Sequence, residues 1–145
     1  MKKKIVCGTY ADLVFMDEET MTKVVRTWKT ENEEKEKEGW HPAHPTLYLK
    51  REVYYKIGLF DLNYKIVADY YFMLRMMKDK DIKLSYINDT IIHIRDGGTS
   101  TAGLKGYYKN LKESHRALVS NGIKHAYFVD LRRIRKTLKQ IINKK

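Results

Sequence analysis

The sequence predicts an α/β fold in which a mixed sheet is flanked by helices and followed by a C-terminal helical pair. Short runs rich in β-branched and aromatic residues, which are typical of strands, alternate with segments whose apolar residues recur at helical spacing. After the glycines at positions 97 and 98, only helical spacing remains. At 145 residues, the chain is long enough for one domain with a sizeable core.

The N-terminal part predicts a β-hairpin. Residues 4–17 are rich in β-branched and aromatic side chains, and the apolar run at 13–16 indicates a strand buried on both faces. Turn residues at 17–20 and a second strand-like segment at 23–28 favour a hairpin whose loop is longer than two residues. The almost wholly charged segment at 30–38 is interpreted as a solvated loop or a short exposed helix.

The stretch at 39–75 contains most of the predicted core. Pro42 and Pro45 are the only prolines in the chain, and they hold residues 41–45 extended because proline restricts the residue before it. Residues 46–50 predict a buried strand, and residues 51–57 predict a short helix that Gly58 ends.

A second helix is predicted at 66–77, where apolar residues at 66, 67, 70, 73, 74 and 77 form one buried face. Asp69 lies in its first turn, where the helix dipole favours a carboxylate. Residues 82–94 then predict two short strands separated by a break at Asn88-Asp89.

The C-terminal part is predicted to be helical. Residues 96–98 form a turn, and residues 99–101 offer helix caps. A long helix at 104–119 is ended by Asn121-Gly122, and a last helix follows at 126–142. The apolar residues expected along one side of that last helix are Phe128, Leu131, Ile134, Leu138 and Ile141.

The charge and the cysteine content of the chain indicate its cellular compartment and the kind of partner it binds. The net charge of +11 favours an anionic partner. The single cysteine, Cys7, excludes an internal disulfide and fits a reducing compartment. No apolar run approaches the 18 residues of a membrane span. We therefore expect a cytoplasmic chain, with peripheral contact at the inner face of the membrane as an added expectation from its basic C-terminal segment.

Asp69 is the first candidate for chemistry. A carboxylate at a helix start and beside a strand end is suited to deprotonate a hydroxyl as a general base, and the alternative is a helix-capping acid. His41, His44 and His93 lack the spacing of a compact metal motif, so we interpret them as isolated polar histidines in loops. No metal-binding residues are predicted.

Two further features of the sequence bear on phosphate binding and on nucleophilic catalysis. The turn at 96–100 places backbone amides near a helix start, a geometry that holds phosphate, although neither common phosphate-loop pattern occurs. Neither Cys7 nor any of the serines lies in a sequence context typical of an activated nucleophile.

The basic C-terminal segment has three interpretations. Residues 124–145 contain eight Lys or Arg against one acid, Asp130, and so hold +7 of the total +11. We divide the chain into a domain at 1–122 and a basic amphipathic helix at 123–145. This helix either packs on the domain by its apolar side, lies on an anionic bilayer, or binds nucleic acid phosphates. Nucleic acid ranks last because the charge is concentrated in a tail and does not line a groove.

Five motifs in order carry a family resemblance. They are YADLVFMDEE, KVVRTW, GWHPAHPTLYLKREVYYKIGLFD, YKIVADYYFMLR and IKLSYINDTIIHIRDGGTS. In this order they resemble the C-terminal, acceptor-side half of bacterial family 2 glycosyltransferases with the GT-A fold. The resemblance covers most of residues 10–122 and implies that the sheet is part of a GT-A-like fold.

The resemblance implies roles for several residues. In the family, an Asp in an Ala-Asp or Glu-Asp pair at a helix start is the usual catalytic base, and the matching pair here is Ala68-Asp69. Asp69 would deprotonate the acceptor hydroxyl as it attacks the anomeric carbon of a nucleotide-activated sugar, with inversion. The other positions implied are His44 and Thr46 on the acceptor side, and Arg95, Gly97 and Gly98 near the donor diphosphate.

Two features depart from the family pattern. The family commonly has a second acid two positions after its base, where this chain has Tyr71. The family's nucleotide-binding half, with its Asp-x-Asp metal motif, is implied to occupy roughly a hundred residues before Tyr10, where this chain has nine. We therefore expect a truncated transferase, a fragment or one piece of a split gene that is inactive alone. Mg²⁺ or Mn²⁺ and a nucleotide-sugar are expected for the full-length family, and no cofactor is expected on this chain alone.

The function expected from the sequence is the acceptor-side part of an inverting glycosyltransferase. It would serve transfer of a sugar from a nucleotide-sugar to a polysaccharide or lipid-linked acceptor. The alternative is a non-catalytic binding module or a membrane-surface adaptor. The expected partners are a missing N-terminal half, a sugar acceptor and an anionic membrane surface contacted by 124–145.

Overall fold

The computed structural model of the chain describes residues 6–31, 37–97 and 103–142. Within these residues lie four strands, one 3₁₀ turn at His44–Thr46 and four α-helices. The strands are β1 (Gly8–Met16), β2 (Val24–Trp28), β3 (Tyr48–Leu49) and β4 (Leu84–Arg95), and the helices are α1 (Arg51–Ile57), α2 (Ala68–Lys78), α3 (Gly103–Ser120) and α4 (Ala126–Ile142). The helix caps predicted at 99–101 and the middle of the charged segment at 30–38 lie outside the described residues.

β1 is the central strand of the sheet. It pairs in parallel with β4 along its whole length, and antiparallel with β2 at Leu13–Met16 and with β3 at Gly8–Thr9. Because a strand has two edges, β2 and β3 share the edge opposite β4, one at each end of β1. The α/β class, the hairpin of β1 and β2 and the C-terminal helical pair are therefore confirmed.

The chain differs from the predicted strands in two places. The two strands predicted within 82–94 are one strand, β4, because Asn88 and Asp89 are accommodated as a bulge. Ala11 pairs with Ile87, and the next residue, Asp12, pairs with Thr90. Within the strand predicted at 46–50, only the two residues of β3 are extended strand, since the 3₁₀ turn includes Thr46.

α2 lies between two apolar cores. The first, here the sheet-side core, consists of Val53, Phe72, Met73 and Met76 with Leu49, Leu84 and other partly buried residues around them. The second, the helical core, consists of Tyr64, Val67, Tyr70, Leu74, Ala117, Leu118, Ala126 and Val129. Because α2 contributes to both, it is buried on two opposite faces, and each large apolar side chain contributes about 1.5–3 kcal/mol. The single buried face predicted for this helix is wrong: Phe72 and Met76 are buried, while Met77 is exposed.

α4 does not pack by the apolar side predicted for it. The residues that face the domain are Ala126, Val129 and Asp130, which are all buried. Phe128, Leu131 and Leu138 are exposed. The helix is turned this way because the small Ala126 and Val129 fit between α3 and the loop before the 3₁₀ turn, where Gly39 leaves room for Val129.

Gly39 provides a test of how α4 docks. Its φ of +79° favours glycine, and a Cβ built there would lie 2.6 Å from a methyl carbon of Val129. We expect Gly39→Ala to lower the free energy of unfolding by about 3 kcal/mol, from backbone strain and overpacking together. Urea denaturation monitored by circular dichroism measures this loss.

Gly122→Ala is the matched control for that substitution. Gly122 also has a positive φ, +72°, but nothing lies within 4 Å of an added Cβ. The expected loss is therefore only the backbone strain, about 1 kcal/mol. Equal losses in the two variants would mean that Gly39 is not in contact with α4 in solution.

Candidate functional site at the start of α2

Asp69 stands in the first turn of α2, at the junction of the two cores. One carboxylate oxygen, Oδ1, accepts the N–H of Tyr70 at 2.8 Å. The side chain remains 42% exposed, so the carboxylate is accessible to solvent. The position thus combines a fixed backbone with an accessible carboxylate.

His44 is the nearest polar neighbour of Asp69. Its Nδ1 lies 3.6 Å from Oδ2 of Asp69, and its side chain is 43% exposed. The ring meets the edge of Phe60 at a centroid distance of 6.0 Å. The structure therefore brings together Asp69 and His44 from segments 25 positions apart, with the apolar ring of Phe60 beside them.

Thr46 positions His44 but does not present its hydroxyl to a ligand. The side chain is fully buried, and Oγ1 lies 2.8 Å from the carbonyl oxygens of Ala11 and of Ala43. Oγ1 also accepts the Ala11 N–H at 3.1 Å. These contacts tie the 3₁₀ turn to β1, so we assign Thr46 a positioning role.

His41 lies next to this site, in the loop before the 3₁₀ turn, but its ring is packed against two other rings and is not isolated as predicted. Its ring packs 4.8 Å from the ring of Tyr70 and meets the edge of Trp28 at 5.6 Å. Its Nδ1–H donates to the Pro42 carbonyl at 2.9 Å, which leaves Nε2 as the acceptor in the neutral ring. His93, in contrast, is exposed on β4.

Charges from α4 reach this part of the molecule. Burial lowers the pKa of His41 to about 4, and the positive charges of Arg133 and Lys136 act in the same direction. The guanidinium of Arg133 also lies 4.6 Å above the ring of Tyr70, a cation–π contact. The start of α2 therefore lies in a field set partly by α4.

Glu113 on α3 is a site residue that sequence reasoning missed. Its two carboxylate oxygens accept the N–H groups of Lys65, Ile66 and Val67 at 2.6–3.1 Å. Burial raises the pKa of Glu113, but these hydrogen bonds outweigh it, and the pKa is lowered overall. Glu113 thus caps the entry to α2 from another helix and holds the turn that carries Asp69. No local pattern indicates a cap that comes from 46 positions away.

Arg95 and Gly97 lie apart from this site. Arg95 pairs with Met16 at the far end of β1, whereas Thr46 contacts Ala11. The five residue steps from Ala11 to Met16 along the strand correspond to about 16 Å. Gly98 lies outside the described residues.

The surroundings of Gly97 are acidic. A cleft beside it is lined by Asp17, Glu18, Glu19, Val25, Asp96 and Gly97. Asp96 lies 3.8 Å from Arg26, and Asp17 accepts the N–H groups that close the hairpin loop. This end of β1 does not present the concentration of positive charge that a diphosphate favours.

The chain does contain one Asp-x-Asp triplet, Asp79-Lys80-Asp81, directly after α2. Lys56 Nζ lies 2.7 Å from Asp79 and 3.2 Å from Asp81, and its hydrogen bond lowers the pKa of Asp79. The triplet is thus ion-paired within the fold. Over residues 6–31, 37–97 and 103–142, no three His, Cys, Asp or Glu side chains come together as metal ligands.

Asp12 is a buried acid of β1, and its role is structural. Its Oδ1 accepts the Thr30 N–H at 2.8 Å, and its Oδ2 accepts the Tyr86 hydroxyl at 2.9 Å. Burial, followed by the bond to Asp12, raises the pKa of Tyr86 to about 12. Because the carboxylate is 2% exposed and bonded through both oxygens, it is not accessible to a substrate.

Comparisons with protein-family models, with curated proteins and with solved structures find no match for this chain. Among the helices of the described residues, none combines the length and the apolar character that crossing a membrane requires. The site is therefore interpreted from its own geometry and from the motifs of the sequence.

Removal of the Glu113 carboxylate tests the cap on α2. We expect Glu113→Ala to lower the free energy of unfolding by about 1–2 kcal/mol, because three backbone N–H groups lose their acceptor. Glu113→Gln keeps one acceptor oxygen and should lose less. Since the pKa of Glu113 is lowered on folding, its contribution is present above the ordinary pKa of 4.5 and disappears as the pH falls through the folded value. Urea unfolding at pH 7 and at pH 3 measures both effects, and equal stabilities of the three proteins at pH 7 would contradict them.

His41 predicts a second, separate pH dependence. Its folded pKa of about 4 lies below the ordinary 6.5, so the unfolded chain binds the extra proton between these values. Stability should therefore be full above pH 6.5 and fall by about 1.4 kcal/mol per pH unit down to pH 4, about 3 kcal/mol in total.

His41→Phe keeps an aromatic ring beside Tyr70 but cannot be protonated, so this slope should disappear. His93→Gln, at an exposed position, is the matched control and should leave the slope as it is in the unsubstituted chain. An unchanged slope in His41→Phe would show that another group titrates.

Proposed function

We propose that this chain is the acceptor-side part of an inverting glycosyltransferase, with Asp69 as the general base. The observation that carries the proposal is the accessible Asp69 carboxylate at the start of α2, 3.6 Å from His44 and on a turn held by Glu113. The order of the motifs, which resembles that of family 2 glycosyltransferases, supports the same role. A base must be open to its substrate and fixed in position, and this carboxylate meets both conditions.

In the proposed reaction, Asp69 accepts the proton of an acceptor hydroxyl. The hydroxyl oxygen forms a bond to the anomeric carbon of the donor sugar, and the bond from that carbon to the nucleoside diphosphate breaks on the opposite face. The configuration at the carbon is therefore inverted. His44 would orient the acceptor by a hydrogen bond, and Phe60 offers an apolar surface for a sugar ring.

The metal and the nucleotide expected for the family do not fit the described residues. No group of three metal ligands lies among them, and the Asp79-Lys80-Asp81 triplet is paired with Lys56. Arg95 and Gly97 lie beside an acidic cleft at the far end of β1. The proposed reaction therefore includes no step at a metal on this chain. We propose that a nucleotide-binding half brings the nucleotide-sugar donor to the start of α2.

Complementation tests this function. The chain is mixed with a separately expressed nucleotide-binding half of a family 2 glycosyltransferase, a panel of nucleotide-sugars and a panel of sugar acceptors, and release of nucleoside diphosphate is followed. We expect turnover only when both halves are present. Asp69→Asn should lower kcat by about 10²–10⁴-fold, because the base is lost while the site keeps its shape.

Asp81→Asn is the matched control, since its side chain is 88% exposed and lies beyond the C-terminal end of α2, at the opposite end of the helix from Asp69. Its kcat should equal that of the unsubstituted chain, and His44→Ala should raise KM more than it lowers kcat. Full activity of Asp69→Asn would remove the assignment of the base. Saturation-transfer NMR with the acceptor panel measures acceptor binding without turnover, and binding lost in His44→Ala is expected there.

A further inference from the structure

The outward side of α4 presents a stripe of apolar side chains. Four of them, called here the outward stripe, are exposed over more than half of their surface: Tyr127 (79%), Phe128 (71%), Leu131 (61%) and Leu138 (54%). Their spacing places them on neighbouring turns of the helix, opposite the buried Ala126 and Val129. A stripe of this size on a surface helix marks a contact site.

Positive charge accompanies this stripe. Lys124, Arg135 and Lys136 are exposed on or next to α4. Arg132 and Arg133 are partly buried against the domain, where Arg132 donates to the Glu38 carbonyl at 2.6 Å. The exposed side of α4 therefore joins apolar and basic groups.

The acids of the helical pair make contacts within the fold. From 103 to 138 the sequence has nine Lys or Arg and two acids, Glu113 and Asp130. Glu113 binds the backbone before α2, and Asp130 is buried with its Oδ2 2.5 Å from Nδ1 of His115. The positive charge at the surface of α3 and α4 is thus left largely unopposed by their own acids.

The combination of exposed apolar side chains and positive charge on α4 distinguishes between the candidate partners. A nucleic acid would be recognised by cations along a groove and would not require four exposed apolar side chains. A second copy of this chain would bring a basic helix against a basic helix. An anionic bilayer accommodates both features, because apolar side chains enter the acyl boundary while Lys and Arg contact the headgroups.

We propose that α4 docks this chain on a bilayer that contains anionic phospholipids. The outward stripe lies in the membrane interface, and Lys124 and Arg135 contact the phosphates and carboxylates of the headgroups. The charge of Lys136 is directed towards His41, so this residue is not assigned to the contact. The helix lies parallel to the surface and does not cross it. This inference goes beyond the proposed transferase activity and does not rest on it.

Vesicle sedimentation with the full chain tests the proposal. The probes are phosphatidylcholine vesicles with and without added phosphatidylserine, at low and at high salt. We expect binding only when phosphatidylserine is present, and weaker binding at high salt. Lys124→Gln with Arg135→Gln should weaken the partition by about 25-fold, since each cation near the surface contributes about fivefold.

Substitutions of apolar side chains by glutamine test the contribution of the outward stripe. Phe128→Gln with Leu131→Gln should weaken the partition at least about tenfold, because the buried apolar area is lost. The matched controls are Tyr55→Gln on α1, which replaces an equally exposed apolar side chain, and Lys80→Gln with Lys83→Gln, which removes two exposed lysines elsewhere. These controls should keep the partition of the unsubstituted chain. Thermal unfolding followed by circular dichroism verifies that every variant is folded.

Four results would overturn the proposal. The first is absence of binding to either kind of vesicle, and the second is equal binding to both. The third is a concentration-dependent dimer, measured by light scattering, that Leu131→Gln abolishes while no vesicle binding occurs; the outward stripe would then be an interface between two copies. The fourth is a salt-sensitive shift of nucleic acid without vesicle binding, which would assign the cations to phosphates of a nucleic acid.

Discussion

The burial of α2 between two apolar cores is the constraint on which the rest of the structure depends. Phe72, Met73 and Met76 face the sheet-side core, while Tyr70 and Leu74 face the helical core. Because both faces are occupied, α2 cannot rotate or slide without opening one of the cores. The sheet, α1 and the helical pair are therefore held together through this one helix, and Asp69 at its start is fixed with respect to all of them.

The candidate site is built by groups that are distant in sequence and act on one turn. Glu113 binds the backbone before α2, and Thr46 ties the turn that carries His44 to β1. Both groups are used for positioning, so Asp69 keeps an oxygen for a ligand. The two charges that α4 directs towards His41 belong to the same helix whose other side is apolar and basic at the surface.

Several secondary-structure elements and the position of Asp69 could be predicted from local sequence. The hairpin, the short helix ended by Gly58 and the helix ended by Asn121-Gly122 follow from turn residues, glycines and periodicity, which act within a few positions. The same local signals predicted Asp69 in the first turn of a helix. The sequence predicts a break at Asn88-Asp89 where the structure has a bulge, because a bulge and a break have the same polar residues and differ only in whether the partner strand continues.

The sequence by itself determined the α/β class, the order of the helices and the position of one carboxylate at a helix start, because each depends on short-range backbone preferences and on the alternation of apolar residues. Only the tertiary structure decided which side of α4 is buried, that Glu113 caps α2 and that Arg95 lies far along β1 from Asp69. The physical reason is that apolar periodicity gives a helix a side to bury but does not identify its neighbour. On α4, the small Ala126 and Val129 fit the space beside Gly39, and the larger Phe128 and Leu131 were left at the surface.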